Sequence, residues 1–179
     1  MRKALFLLGA LDDRDIDWMI SAGKQKRVAA GATLIHEGQE AESVFIVLDG
    51  AFAVRISAAG GKEIARLRAG EIVGEMSFVD ARPPSASVVA VEDSMVLSIS
   101  RNVLNERLKT PDFGARFYRA LAIFLADRLR NTVAQLGYGK TKPDAGAIEG
   151  EDEVGPTALE NLVVAGARFD WMLRRLRGE

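Results

Sequence analysis

The sequence predicts an α+β chain, in which a sandwich or barrel of short strands is followed by helices. Three observations carry this. From Lys24 to Ser100, short β-rich runs recur with turn signals between them. After Ser100 the apolar residues fall at spacings of three and four. The chain has 179 residues, 48% of them hydrophobic, which is enough for one domain with a real core plus appendages.

Taken in order, the opening stretch MRKALFLLGALDD has an apolar run like that of a leader. Asp12 and Asp13 break it and no cleavage site follows, so it reads as an amphipathic lead-in. A helix is expected over Ala10 to Ala22, with Leu11, Trp18, Met19 and Ile20 set among four aspartates. The strand runs are KQKRVA, TLIH, SVFIVL, AFAVRIS, EIARLR, ASVVAVE and SMVLSIS. Val44 to Leu48 is continuously apolar and predicts a strand buried on both faces. Phe52, Val54 and Ile56 alternate with small or charged residues and predict a half-buried one.

Arg101 to Lys109 is expected as a short helix. Thr110 and Pro111 then supply a cap and a first-turn proline, and a long helix runs from Asp112 to Leu136. Its apolar residues Phe113, Phe117, Leu121, Leu125, Leu129 and Val133 exceed what one flank of a small β-domain covers, which predicts a homodimer through this helix. The glycine- and acid-rich run GYGKTKPDAGAIEGEDEVGP has no periodicity and predicts a linker over 137–156, dividing a domain at 1–136 from a last helix at 157–179.

Composition excludes several functions. No cysteine is present, so disulfides, zinc fingers, iron–sulfur clusters and thiol catalysis are out. The single histidine, His36, sits in TLIHEG and is expected as a strand-end surface residue. No catalytic set and no metal site are predicted, and the chain is expected not to be an enzyme. The formal net charge of −1 argues against general nucleic-acid binding. No segment approaches the roughly 18 apolar residues of a membrane span, so a cytoplasmic protein is expected.

Two glycine-punctuated hairpins, then GEMSFVDARPPSASVVA, then a short and a long helix, resemble the cyclic-nucleotide-binding domain family over roughly Leu5 to Leu136. Gly31, Gly38, Gly50 and Gly70 at turns add to the likeness. The resemblance implies an antiparallel β-roll in a jelly-roll arrangement, with helices that move when ligand binds. It implies that Gly74 and Glu75 open a phosphate-binding cassette whose glutamate accepts from a ribose hydroxyl. It also implies that Ser85, Ala86 and Ser87 bring backbone N–H groups to the cyclic phosphate. Here the sequence departs from the family, because Pro84 stands where the cassette has arginine. A charge-assisted contact to phosphate is worth about 1.5–3 kcal/mol, and proline offers neither charge nor N–H. Arg82, two residues earlier, is the candidate replacement.

The last helix carries Leu159, Leu162, Gly166, Phe169, Leu173 and Leu176 as an apolar seam. Trp171 is expected almost opposite it, with Arg168, Arg174, Arg175 and Asp170 nearby. An indole can stack a base, arginine forks match a guanine edge, and a carboxylate accepts from guanine N–H groups. Together with the lost cassette arginine, this set predicts cyclic di-GMP as ligand, and members of the resembled family have changed ligand in that direction. The expected function is a bacterial-type second-messenger receptor that signals to a regulatory protein partner such as a transcription factor, without binding DNA itself. Two alternatives stay open: a cAMP- or cGMP-binding regulatory module using Arg82, and a ligand-free dimerisation or adaptor module.

Overall fold

A computed structural model of the chain describes residues 5–76, 79, 82–135 and 156–178. Two short helices come first, α1 (Leu5–Ala10) and α2 (Asp13–Ala22). Eight strands follow: β1 (Lys24–Val28), β2 (Thr33–Ile35), β3 (Ser43–Asp49), β4 (Ala51–Ile56), β5 (Lys62–Arg68), β6 (Ile72–Val73), β7 (Ser87–Ala90) and β8 (Ser94–Ser100). Three helices end the described chain: α3 (Arg101–Leu108), α4 (Pro111–Gln135) and α5 (Pro156–Arg177).

The strands form two antiparallel four-stranded sheets, ordered β1-β8-β3-β6 and β2-β7-β4-β5. This is the β-roll with flanking helices that the resemblance implied. The two-residue strand β6 was not foreseen, because two residues carry no alternation.

Side-chain alternation on β3 explains its continuous apolar run. Phe45 and Val47 point between the sheets, where they meet Val28, Phe52, Val73, Val88 and Val96. Val44, Ile46 and Leu48 point outward, where the helices cover them together with Leu97 and Ile99. Strand β4 corrects an expectation. Ala51 to Val54 are all buried, because β4 lies between β7 and β5 and its alanine methyls are shaded by both neighbours.

The helix expected over Ala10 to Ala22 starts at Asp13, and the lead-in before it holds a helix of its own, α1. Asp12 adopts an extended backbone and caps α2: its carboxylate accepts from the Asp15 N–H at 2.9 Å, and Asp15 accepts from the Asp12 N–H at 3.1 Å. Asp15 has no exposed surface. Arg116 of α4 holds it with two bonds of 2.7 and 3.0 Å. Burial alone would raise the Asp15 pKa, but the hydrogen bonds and charge of Arg116, with the Asp12 N–H, outweigh it and keep the carboxyl below its ordinary range.

Helix α5 packs on α1 and α2, and its Ala165, Phe169 and Met172 enter the same core as Leu8, Leu11, Ile16, Met19 and the α4 residues Phe113, Phe117 and Leu121. The expected seam is therefore turned. Leu173 and Leu176 are only partly buried, Gly166 is at the margin, and Ala165 and Met172 take the centre. The side chains of Leu159 and Leu162, and the expected linker with Leu136, lie outside the described residues. No helix among the described residues is long and apolar enough to cross a membrane.

Candidate functional site

The cassette begins where β6 ends. Gly74 has φ +87°, and a Cβ there would stand 2.9 Å from the Ser43 carbonyl oxygen and 3.3 Å from Ile35 Cδ1. Only glycine fits this turn, in both dihedral and space. The turn carries Glu75 inward, to 3% exposure. Met76 and Val79 are helical, and the described chain resumes at Arg82.

The return is stitched to the hairpin ends. The Gly38 N–H donates to the Pro84 carbonyl at 2.8 Å, and the Glu37 N–H donates to Ser87 Oγ at 3.0 Å. The Glu37 carboxylate accepts from the Ser57 N–H and hydroxyl at 2.7 and 2.9 Å. Pro84 thus has a structural duty that needs no side-chain charge: its carbonyl anchors the turn at Gly38.

Between these segments lies a cavity of about 280 Å³. Ile35, Val54, Leu67 and Val88 wall it from one sheet, and Ile72 and Val73 from the other. Gly74, Glu75, Met76, Arg82, Pro83, Pro84, Ser85 and Ala86 complete the lining. Five of the predicted cassette residues therefore meet at one cavity: Gly74, Glu75, Arg82, Ser85 and Ala86. Ser87 stands just beyond it, with its hydroxyl taken by Glu37. An apolar chamber with one buried carboxylate and one exposed guanidinium can hold a small molecule that is part ring, part sugar and part anion. Sequence reasoning missed the strand walls. Their only signal was strand alternation, which names a face but not the space beside it.

The residues predicted on α5 do not join this cavity, and none of them lines it. Arg168 is used within the fold. Its Nε donates to Asp13 Oδ1 at 2.8 Å, and its Nη1 donates to the carbonyls of Leu8, Gly9 and Leu11. It closes the end of α1, where the last carbonyls lack intrahelical partners. Trp171 is half-buried and packs against the helical core, which corrects the expectation that it points away. Asp170, Arg174 and Arg175 are exposed, and Arg175 stands 3.9 Å from Asp17. An open depression of about 450 Å³ lies beside Asp13, Val164, Ala167, Arg168 and Trp171. Arg168 and Trp171 thus share this depression, with Arg168 also bonded to Asp13 and the carbonyls of Leu8, Gly9 and Leu11.

Comparison with known proteins gives a family match whose span includes the cassette. A family model described as "Cyclic nucleotide-binding domain" matches residues 25–110. The Pycsar effector protein XpPycTIR of Xanthomonas perforans is 31% identical over 119 residues, covering 65% of this chain and 38% of that protein. The cyclic AMP receptor protein of Thermus thermophilus is 30% identical over 132 residues, covering 73% and 60%. The crystal structure of the Thermus thermophilus catabolite activator protein superposes with a TM-score of 0.63 at 28% identity, covering 74% of this chain and 62% of that one. The chain thus spans under two thirds of the length of both curated relatives.

Proposed function

Since the chain belongs to the cyclic nucleotide-binding domain family through residues 25–110, we propose that it is a receptor for a cyclic mononucleotide and reports occupancy by protein contact. The observation that carries this is the placing of Glu75. A carboxylate 3% exposed, on the wall of a cavity also lined by Arg82, is set to accept from a sugar hydroxyl while the guanidinium faces the phosphate. The volume of about 280 Å³ lies at the lower end of ordinary ligand sites and suits one nucleotide better than two. Arg82 here takes the part that Pro84 leaves, and the backbone N–H groups of Ser85 and Ala86 serve the remaining phosphate oxygens. The names of two relatives, a cyclic AMP receptor protein and a Pycsar effector, support a signalling role. Turnover is no part of the reading.

Calorimetric titration with cAMP, cGMP and cyclic di-GMP tests it. A mononucleotide is expected to bind, and Glu75→Ala and Arg82→Ala are each expected to weaken it by about 1.5–3 kcal/mol, the worth of a hydrogen bond to a charged group. Trp171→Ala is expected to leave the affinity unchanged. Cyclic di-GMP binding that is lost in Trp171→Ala would return the site to α5.

The receptor is also proposed to pair through α4. The line Phe113, Phe117, Leu121 is consumed within the chain's own core. On the far side of the helix, Ala115, Tyr118, Ala122, Leu129 and Val133 are exposed, with Leu125 at the edge of the line and partly packed on the core, at steps of three and four. Tyr118, Leu129 and Val133 are 48%, 65% and 40% exposed. That spacing is a coiled-coil seam, and a second copy of α4 presents the same seam to it.

A further inference from the structure

Strand β1 is the outer strand of its sheet, bonded to β8 on one side only. Lys24, Gln25, Lys26 and Arg27 are all exposed. The Gln25 side chain donates to the Leu176 carbonyl at 2.8 Å, which brings the last turn of α5 beside the strand. Arg174, Arg175 and Arg177 belong to that turn and are exposed. The strand's alternation sets Arg27 on the face of Gln25, toward the α5 arginines, and Lys24 and Lys26 on the other face, so six cations flank this edge in a chain whose formal net charge is −1. Among the described residues, the one acidic partner any of them has is Asp17, 3.9 Å from Arg175.

The other long outer strand is different. On β5, Arg66 is held by Glu63 at 2.8 and 3.0 Å, and the Arg68 N–H donates to Glu71 at 2.8 Å. On that edge Arg66 has an acidic partner three residues away, whereas among the described residues no such ion pair is seen for Lys24, Lys26 or Arg27.

We propose that β1, with the end of α5, is a docking edge for an extended acidic segment of a partner protein. The segment adds as a further strand beside β1 and sets its alternate carboxylates against Lys24 and Lys26, with Arg27 and the α5 arginines raising the positive potential of the same edge. An outer strand offers unpaired N–H and C=O groups. A peptide that pairs with them gains affinity from the main chain and specificity from alternate side chains. The same lysines bar a second copy of β1, since like charges opposite each other repel. A nucleic acid would meet the cations but leave the strand's backbone groups unused, so it is the less complete occupant.

The test is fluorescence anisotropy of a labelled eight-residue peptide of alternating glutamate and valine, titrated with the full chain. The expected result is binding that weakens with salt, falls about tenfold or more when alternate valines become proline, and falls as much in Lys24→Glu/Lys26→Glu. Because these lysines are exposed, the variant is expected to keep its melting temperature and its cassette ligand binding. Hydrogen exchange is expected to slow at the amides of 24–28 on peptide addition. Equal binding of the proline peptide, unchanged binding by the charge-reversed variant, or tighter binding of a DNA duplex or phosphatidylserine vesicles would each overturn the proposal.

Discussion

At Asp15 a carboxylate without exposed surface joins three helices. It accepts from the N–H of the α2 cap Asp12, takes two bonds from Arg116 of α4, and stands 3.8 Å from the Arg107 guanidinium of α3, which lies over the Trp18 and Phe113 rings. Asp15→Asn keeps the shape and loses the charge, and is expected to cost about 1–3 kcal/mol in denaturant unfolding. Because the folded-state pKa is depressed, this contribution is present above the unfolded carboxyl's value near about 3.9 and is lost as pH falls through the folded one. Unfolding curves at descending pH are therefore expected to show the native chain losing stability below the ordinary carboxylate range, with Asp15→Asn flatter there. At Gly74 the prediction is steric. Gly74→Ala combines φ +87° with a Cβ 2.9 Å from a backbone oxygen, and is expected to lower both the melting temperature and nucleotide affinity. The two residues differ in how far sequence exposes them. Gly74 is named by its place in a motif, whereas the Asp12–Asp15 cap is legible locally but its partner Arg116 lies 101 positions away.

Among the elements, α5 shows what periodicity tells and what it conceals. The helix itself was plain from its spacing, but its buried face was misplaced by roughly 60° at 3.6 residues per turn. Leucines drew the expected seam, while the centre of the buried face includes Ala165, fully buried and too small to signal hydrophobicity. The Arg168 clamp on α1 could not be read at all, since its acceptors are backbone carbonyls. Phe169→Ala is expected to destabilise by about 3–5 kcal/mol and Met172→Ala by about 2–5 kcal/mol. Deleting the chain from 156 onward uncovers Leu8, Leu11, Ile16 and Met19 and is expected to yield an aggregation-prone product, as size-exclusion chromatography would show. On α4 the expected surplus of apolar surface exists, but on one line rather than two. Leu129→Glu places a charge in that seam and is expected to convert a dimer to a monomer by light scattering, without change in the circular dichroism of the folded chain.

Across the whole molecule, the two cores meet at Ile72. It lines the cassette cavity and also belongs to the helical core, so a filled cavity presses on the layer that holds α2, α4 and α5. Nucleotide binding is expected to change Trp18 fluorescence, and Ile72→Ala to abolish that change while Val88→Ala, on the opposite sheet, preserves it. The roll and the cassette were legible because strand alternation and a short motif are local. The union of the two cores was not, because it depends on which strand edge faces which helix. The clamp of Arg168 on Leu8 closes over 160 positions of chain. Hairpin β4–β5 joins near neighbours in sequence and can pair early, whereas α1 packs on α4 and α5, both far along the chain. During synthesis the first helix therefore leaves the ribosome long before its cover. Until then its apolar face stays uncovered, and the helical layer becomes native after the roll.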